Sequence, residues 1–205
     1  MVRKSRSEDD EEARRSPSHR DFQPGAWLSG TGPDSDIAIC TRVRLARNLA
    51  GFPFAPSLDE TESERLYSFI TDRLAQPGLP VKLNVLDLEP VDELERSMLV
   101  ERHLISRELA SSTRHTGVAY DARESVAIMI NEEDHLRIQV FGSGLQTNDA
   151  WTRMESLDDT LMRRLPMAWS EEFGFLTSCP TNTGTGLRLS VVLHLRGLVW
   201  SAERG

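Results

Sequence analysis

Ile37-Ala38-Ile39-Cys40-Thr41-Arg42-Val43-Arg44-Leu45 is the stretch on which the fold turns. Ile37, Ile39, Thr41, Val43 and Leu45 fall on one face of an extended chain, and Arg42 and Arg44 fall on the other. That two-residue period is the mark of a strand with one face in a core. Working outward, residues 59–76 read as a helix with Leu66, Phe69, Ile70 and Leu74 at helical spacing, stopped by Pro77-Gly78. Residues 91–109 are a second helical segment, broken near His103. Residues 126–131 and 136–141 read as two strands joined by Glu132-Glu133-Asp134. Residues 145–165 form the longest helix, with Trp151, Met154, Leu157 and Leu161 on one stripe, and residues 187–195 alternate again as a strand. Strands and helices mix without strict βαβ alternation, and a hairpin is present. The fold class is therefore α+β.

The chain has 205 residues, 39% of them hydrophobic, enough for one domain with a real core. Residues 1–25 are charged and polar, with Val2, Ala13 and Phe22 nearly the only apolar side chains. Such a stretch cannot offset its ordering entropy, so it is expected to be a disordered tail, with packing starting at Trp27 and Leu28. Neither a secretory signal nor a transmembrane run of about 18 apolar residues is visible, so no membrane association is expected. Cys40 and Cys179 make no disulfide framework or CxxC metal clip, which points to a reducing cytoplasm. The net charge of −8 (24 basic against 32 acidic residues) argues against a nucleic-acid coat. It makes any local cluster of arginines more informative.

Three segments carry chemistry. In Thr41-Arg42-Val43-Arg44-Leu45-Ala46-Arg47, Arg42 and Arg44 project together and Arg47 can curl round to join them. Guanidinium forks match phosphate oxygens bidentately, although a solvated charged face gives the same pattern. In Asn131-Glu132-Glu133-Asp134-His135-Leu136-Arg137, a carboxylate that orients and deprotonates a substrate would stand beside an anion-gripping arginine. A solvated acidic turn is the plainer alternative. His135 sits in no zinc-binding arrangement, and no metal ligands are assigned. In Cys179-Pro180-Thr181-Asn182-Thr183-Gly184-Thr185-Gly186-Leu187-Arg188, a glycine-rich loop offers backbone N–H groups to a ligand, without being a Walker A motif. Cys179 is either a structural thiol or a reactive one near cations.

Taken together, these segments and Gly32-Pro33-Asp34-Ser35-Asp36-Ile37 resemble the phosphagen (guanidino) kinase superfamily, most of all its bacterial protein arginine kinases. The resemblance runs from about Trp27 to Leu198. It implies transfer of the ATP γ-phosphoryl group to the guanidinium of arginine residues in proteins, in a catalytic domain built on a mainly antiparallel sheet flanked by helices. By matching position, Arg42, Arg44, Arg137 and Arg188 would clamp the ATP phosphates, with Arg47 nearby and His103 beside the adenine. Glu133 would be the catalytic carboxylate, Cys179 the reactive thiol, and Glu132 would lie near Mg²⁺ held mostly by phosphates and water. The charged tail before Trp27, in place of a helical domain, resembles the enzymes with protein acceptors rather than the small-molecule guanidino kinases. A zinc-binding activator and a Clp-type protease are partners implied by the resemblance alone.

Residues 26–205 are thus expected to be a partial catalytic domain, lacking its C-terminal part with a further arginine and carboxylate loop. Weak or absent catalysis, and an apolar open edge along residues 187–198, are expected from that. A non-catalytic nucleotide-binding module is the alternative function.

Overall fold

The structure is a computed structural model that describes residues 25–195. The expected tail, apart from Gly25, and the last ten residues lie outside the described residues. The chain builds β1 (Ala38–Arg47), α1 (Glu60–Leu74), β2 (Asn84–Asp87), α2 (Glu93–Glu101), α3 (Arg107–Ala110), β3 (Gly117–Tyr120), β4 (Val126–Ile130) and β5 (Leu136–Ser143). After these come α4 (Thr147–Arg164), β6 (Trp169–Ser170), β7 (Gly174–Phe175) and β8 (Leu187–Leu193). Six strands form one sheet in the order β2-β3-β4-β5-β1-β8, every neighbouring pair antiparallel, and β6 and β7 form a separate hairpin.

Strand register decides what each face carries. Arg44 lies opposite Gln139 on β5 and Arg188 on β8, and Ala46 lies opposite Arg137. Directly paired residues share a face, so Arg42, Arg44, Arg137, Gln139 and Arg188 all project from one side of the sheet. Val43, Leu45, Ile128, Ile130, Ile138 and Val140 project from the other, into the main core beneath α1 and α4.

Asp59 caps α1 by accepting from the Glu62 N–H at 2.8 Å, while Glu62 reaches back to the Asp59 N–H. This capping box fixes the helix start, and Leu66, Ile70 and Leu74 bury its inner stripe. On α4 the buried stripe is Ala150, Met154, Leu157 and Leu161. Trp151, expected on that stripe, is 37% exposed, because Ala150 occupies the inward position and Trp151 falls at its margin. Ile37, expected in β1, is exposed in the turn before it. The 91–109 segment does break at His103, whose φ of +58° turns the chain between α2 and α3.

Leu99, Leu104, Ile105 and Leu109 then pack on Val118, Ala127 and Met129, so α2 and α3 cover the β2–β4 half of the arginine-bearing face. The half formed by β5, β1 and β8 stays open. β8 pairs with β1 on one side only among the described residues, and Leu187, Leu189, Val192 and Leu193 on it are 41–46% exposed. The apolar edge expected from the sequence is present over these positions.

Candidate active site

The open half of the sheet forms a basin. Arg42 and Arg44 rise from β1, Arg137 from β5 and Arg188 from β8. A cavity of about 520 Å³ is lined by Arg42, Arg44, Arg137, His103 and Gln139, with Met129 toward its inner side. The Nε atoms of Arg42 and Arg44 are buried with no hydrogen-bond partner among the described residues. Burial pushes Arg44 down to about 10, aided by the charges of Arg42, Arg137 and Arg188 and opposed by Glu132. Arg42 is pushed down by burial first and by Arg137 and Arg188 next. Crowded guanidiniums with idle donors fit an anion carrying several oxygens, which would relieve both the repulsion and the unmet hydrogen bonds. His103 stands at the rim, its ring edge-on to Trp27 at 5.2 Å. Burial, and then Arg42, lower its pKa, so the ring is a neutral flat surface.

Beside the basin lies the acidic turn between β4 and β5. Asn131 takes a left-handed φ of +61°, and its Nδ2 donates to the carbonyls of Ser63 and His115, each at 2.9 Å. The Glu132 carboxylate accepts from Arg137 Nη1 at 2.7 Å through both oxygens. Arg114 donates to the Glu132 carbonyl at 3.0 Å and also holds the Ala55 carbonyl. Glu133 is exposed at the tip of the turn. A second cavity, of about 690 Å³, is lined by Glu132, Glu133, Asn131 and Arg114 and shares Arg137 with the basin.

Buried Asp134 ties this turn to the cysteine loop. Its Oδ1 accepts from Asn48 Nδ2 at 2.6 Å and from the Ser178 N–H at 2.7 Å. Glu133 precedes Asp134 and Cys179 follows Ser178, so the carboxylate and the thiol sit on adjoining loops. Cys179 is half-buried, its Sγ 3.0 Å from Thr181 Oγ1. Asn48 Oδ1 also accepts from the His135 N–H at 2.8 Å. His135 Nδ1 accepts from the Leu49 N–H at 3.0 Å, which leaves Nε2 as the donor to the Pro53 carbonyl at 2.8 Å. Burial lowers its pKa, and a neutral ring with both nitrogens engaged is a bracket for the turn.

Arg47 does not join the basin. It lies three residues beyond Arg44, an odd spacing on a strand, and therefore points to the opposite face with Val43 and Leu45. There it is 3% exposed, and Asp158 on α4 grips it through Nε at 3.1 Å and Nη2 at 2.8 Å. Nη1 donates to the Ala46 and Thr185 carbonyls at 2.8 Å each, and the guanidinium stacks 3.6 Å over the Phe175 ring. Arg47 is a structural lock between β1, α4 and the glycine loop rather than a partner of Arg42 and Arg44. Gly186 serves the same lock: its φ is +62°, and a Cβ there would stand 2.6 Å from the Ala46 carbonyl and 2.8 Å from Arg47 Nη1. Asn48, Arg114, Asp134 and Asp158 were not distinguished by the sequence reading.

Away from the basin, His115 stands 3.4 Å from both Asp87 and Glu89. Its two nitrogens face different carboxylates, which describes a bridged ring rather than a chelate. No described helix is long and apolar enough to cross a membrane.

The profile of the ATP:guanido phosphotransferase C-terminal catalytic domain matches residues 66–204, more than half of the chain. This chain belongs to the ATP:guanido phosphotransferase family. Among the curated relatives of this chain is the protein-arginine kinase of Symbiobacterium thermophilum, 43% identical over 182 residues, 87% of this chain and 52% of that protein. The protein-arginine kinase of Pelotomaculum thermopropionicum is 45% identical over 175 residues, 84% of this chain and 49% of that one. The chain thus spans about half the length of the curated relatives it matches. A duplicated taurocyamine kinase from Schistosoma mansoni, solved with bound transition-state-analogue components, superposes with a TM-score of 0.70 at 27% identity. The overlap covers 84% of this chain and 26% of that one. Lombricine kinase shares the fold at a TM-score of 0.69 and 22% identity, over 92% of this chain and 57% of that one.

Proposed function

We propose that this guanido phosphotransferase chain moves the γ-phosphoryl group of ATP onto the guanidinium of arginine residues in proteins. The observation that carries the proposal is the arginine basin with its idle Nε donors, opening through Arg137 onto Glu133. Arg42, Arg44, Arg137 and Arg188 hold the phosphates, and His103 offers its neutral ring to the base. Mg²⁺ carried on the phosphates would supply charge neutralisation there, with buried Glu132, hydrogen-bonded to Arg137, the carboxylate beside that region. Glu133 orients the acceptor guanidinium and takes one of its protons. The freed nitrogen attacks the γ-phosphorus, an N–P bond forms, the bond to the β,γ-bridging oxygen breaks, and ADP leaves with that oxygen. Cys179 is the proposed thiol on the acceptor side; the Ser178 N–H bond to Asp134, which ties its loop to the Glu133 turn, supports that reading.

The acceptor is proposed to be a protein side chain because the curated relatives described above are protein-arginine kinases by name. The cytoplasm, where both thiols stay free, is the proposed compartment. A zinc-binding activator and a Clp-type protease are the proposed partners, on the family resemblance.

Mass spectrometry under conditions that spare acid-labile P–N bonds tests the reading, with Mg-ATP and either an arginine-rich unfolded protein or free arginine. Phosphoarginine on the protein and none on the free amino acid is the expected result. Phosphorylation of free arginine alone would make the chain a small-molecule kinase. No product from a folded chain that binds nucleotide would make it a non-catalytic binding module.

A further inference from the structure

A third cavity lies apart from the arginine basin and shares none of its lining residues. Its volume is about 630 Å³, within the range of small-molecule sites. Trp27 and Phe141 stack in its wall with ring centroids 5.6 Å apart and planes 26° from parallel, beside Val126 and Leu157. On two residues that line it, 6% and 7% exposed, Trp27 Nε1 and Ser143 Oγ are buried without a hydrogen-bond partner among the described residues. A buried donor without a partner is costly, and such groups mark places where a missing ligand or water completes the structure.

The charges around the cavity have one sign to offer. Arg123 and Arg153 both line it. Arg153 is anchored, its Nη1 on the Phe141 carbonyl at 3.1 Å and its Nη2 on Ser125 Oγ at 2.7 Å. The exposed Arg123 side chain has no ion-pair partner among the described residues. Asp121 is the carboxylate in the wall, and it is already engaged: Oδ1 accepts from the Val126 N–H at 2.7 Å, and Oδ2 from Ser125 Oγ at 3.1 Å and the Arg123 N–H at 3.3 Å. What remains is an indole N–H, a hydroxyl and a guanidinium around an apolar, partly aromatic surface. We propose that this cavity binds a small oxyanion carried on a flat apolar group, an aryl or acyl phosphate or carboxylate, at a site separate from the phosphoryl-transfer centre. Trp27 also touches His103, which lines the basin, so occupancy would be felt at the nucleotide site through that ring pair.

The proposal stands without the kinase reading, and the test needs no nucleotide. Phenyl phosphate is titrated by ligand-observed NMR into the full chain carrying Arg44→Gln, which weakens anion binding in the basin, with inorganic phosphate and phenol as the separate halves. Phenyl phosphate is expected to bind more tightly than either half. Arg123→Gln, a change at an exposed position, is expected to weaken it about ten- to hundredfold, as loss of a charged hydrogen-bond donor does. The Arg44→Gln background removes a phosphate contact of the basin, so binding that persists in it and depends on Arg123 belongs to this cavity. Ser143→Ala is expected to leave the melting temperature unchanged or raised while weakening phenyl phosphate, because it deletes a hydroxyl with no partner in the protein. Equal binding with and without Arg123→Gln in that background, or no saturable binding in it, would overturn the proposal.

Discussion

Replacing Asp158 with alanine is expected to destabilise the chain by about 3–5 kcal/mol, because it strands a buried guanidinium. Arg47 and Asp158 are 3% and 10% exposed at their side chains, and no solvent replaces the lost carboxylate. For a chain of this length the melting temperature should fall by roughly 6–20 °C. The loss should be specific to an uncompensated charge. A double replacement, Arg47→Met with Asp158→Leu, should recover most of the stability, since a well-packed apolar pair often matches a buried ion pair. Thermal unfolding of the two variants decides the matter. An Arg47 that belonged to the basin would leave Asp158→Ala within about 1 kcal/mol of wild type, as for a surface ion pair.

Glu133→Gln should have the largest effect on chemistry. Glutamine keeps the size and one carbonyl acceptor of the side chain and removes its ability to take a proton. Phosphoryl transfer to arginine is expected to fall by about 10²–10⁴-fold, the contribution of a positioned base. Glu133 is exposed and makes no side-chain contact that holds the turn, so stability should stay within about 0.5 kcal/mol of wild type. The turn is held instead by Asn48, Asp134 and His135. Rate measurements on wild type and variant at matched nucleotide saturation separate the two effects. A rate within threefold of wild type would remove Glu133 from the reaction.

The arrangement of the basin was legible in the sequence because it rests on short-range regularities. The parity of Arg42 and Arg44 on one strand, with strong strand patterns around Arg137 and Arg188, places all four on one face once the strands pair. His103 was legible as a break in a helical pattern. Arg47 misled because its chemical kinship with Arg42 and Arg44 outweighed its odd spacing, and its partner Asp158 lies 111 residues away. Asn48 and Asp134, 86 residues apart, were hidden for the same reason: each is an unremarkable polar residue until folding buries it against the other. The strands β2 and β3 have four residues each, too short for alternation to stand out from their flanks. Trp151 misled because a helical stripe has a margin as well as a centre, and its neighbour Ala150 took the centre.

The proposed function requires the arginine basin on the open half of the sheet to hold nucleotide phosphates. Calorimetric titration of the chain with Mg-ADP tests it most directly, with Arg44→Gln alongside. Saturable binding by the wild type is expected, with about ten- to hundredfold weaker binding by Arg44→Gln from the loss of a charged donor to phosphate. Absence of saturable binding by a folded wild-type chain, or equal affinity in the two proteins, would contradict it.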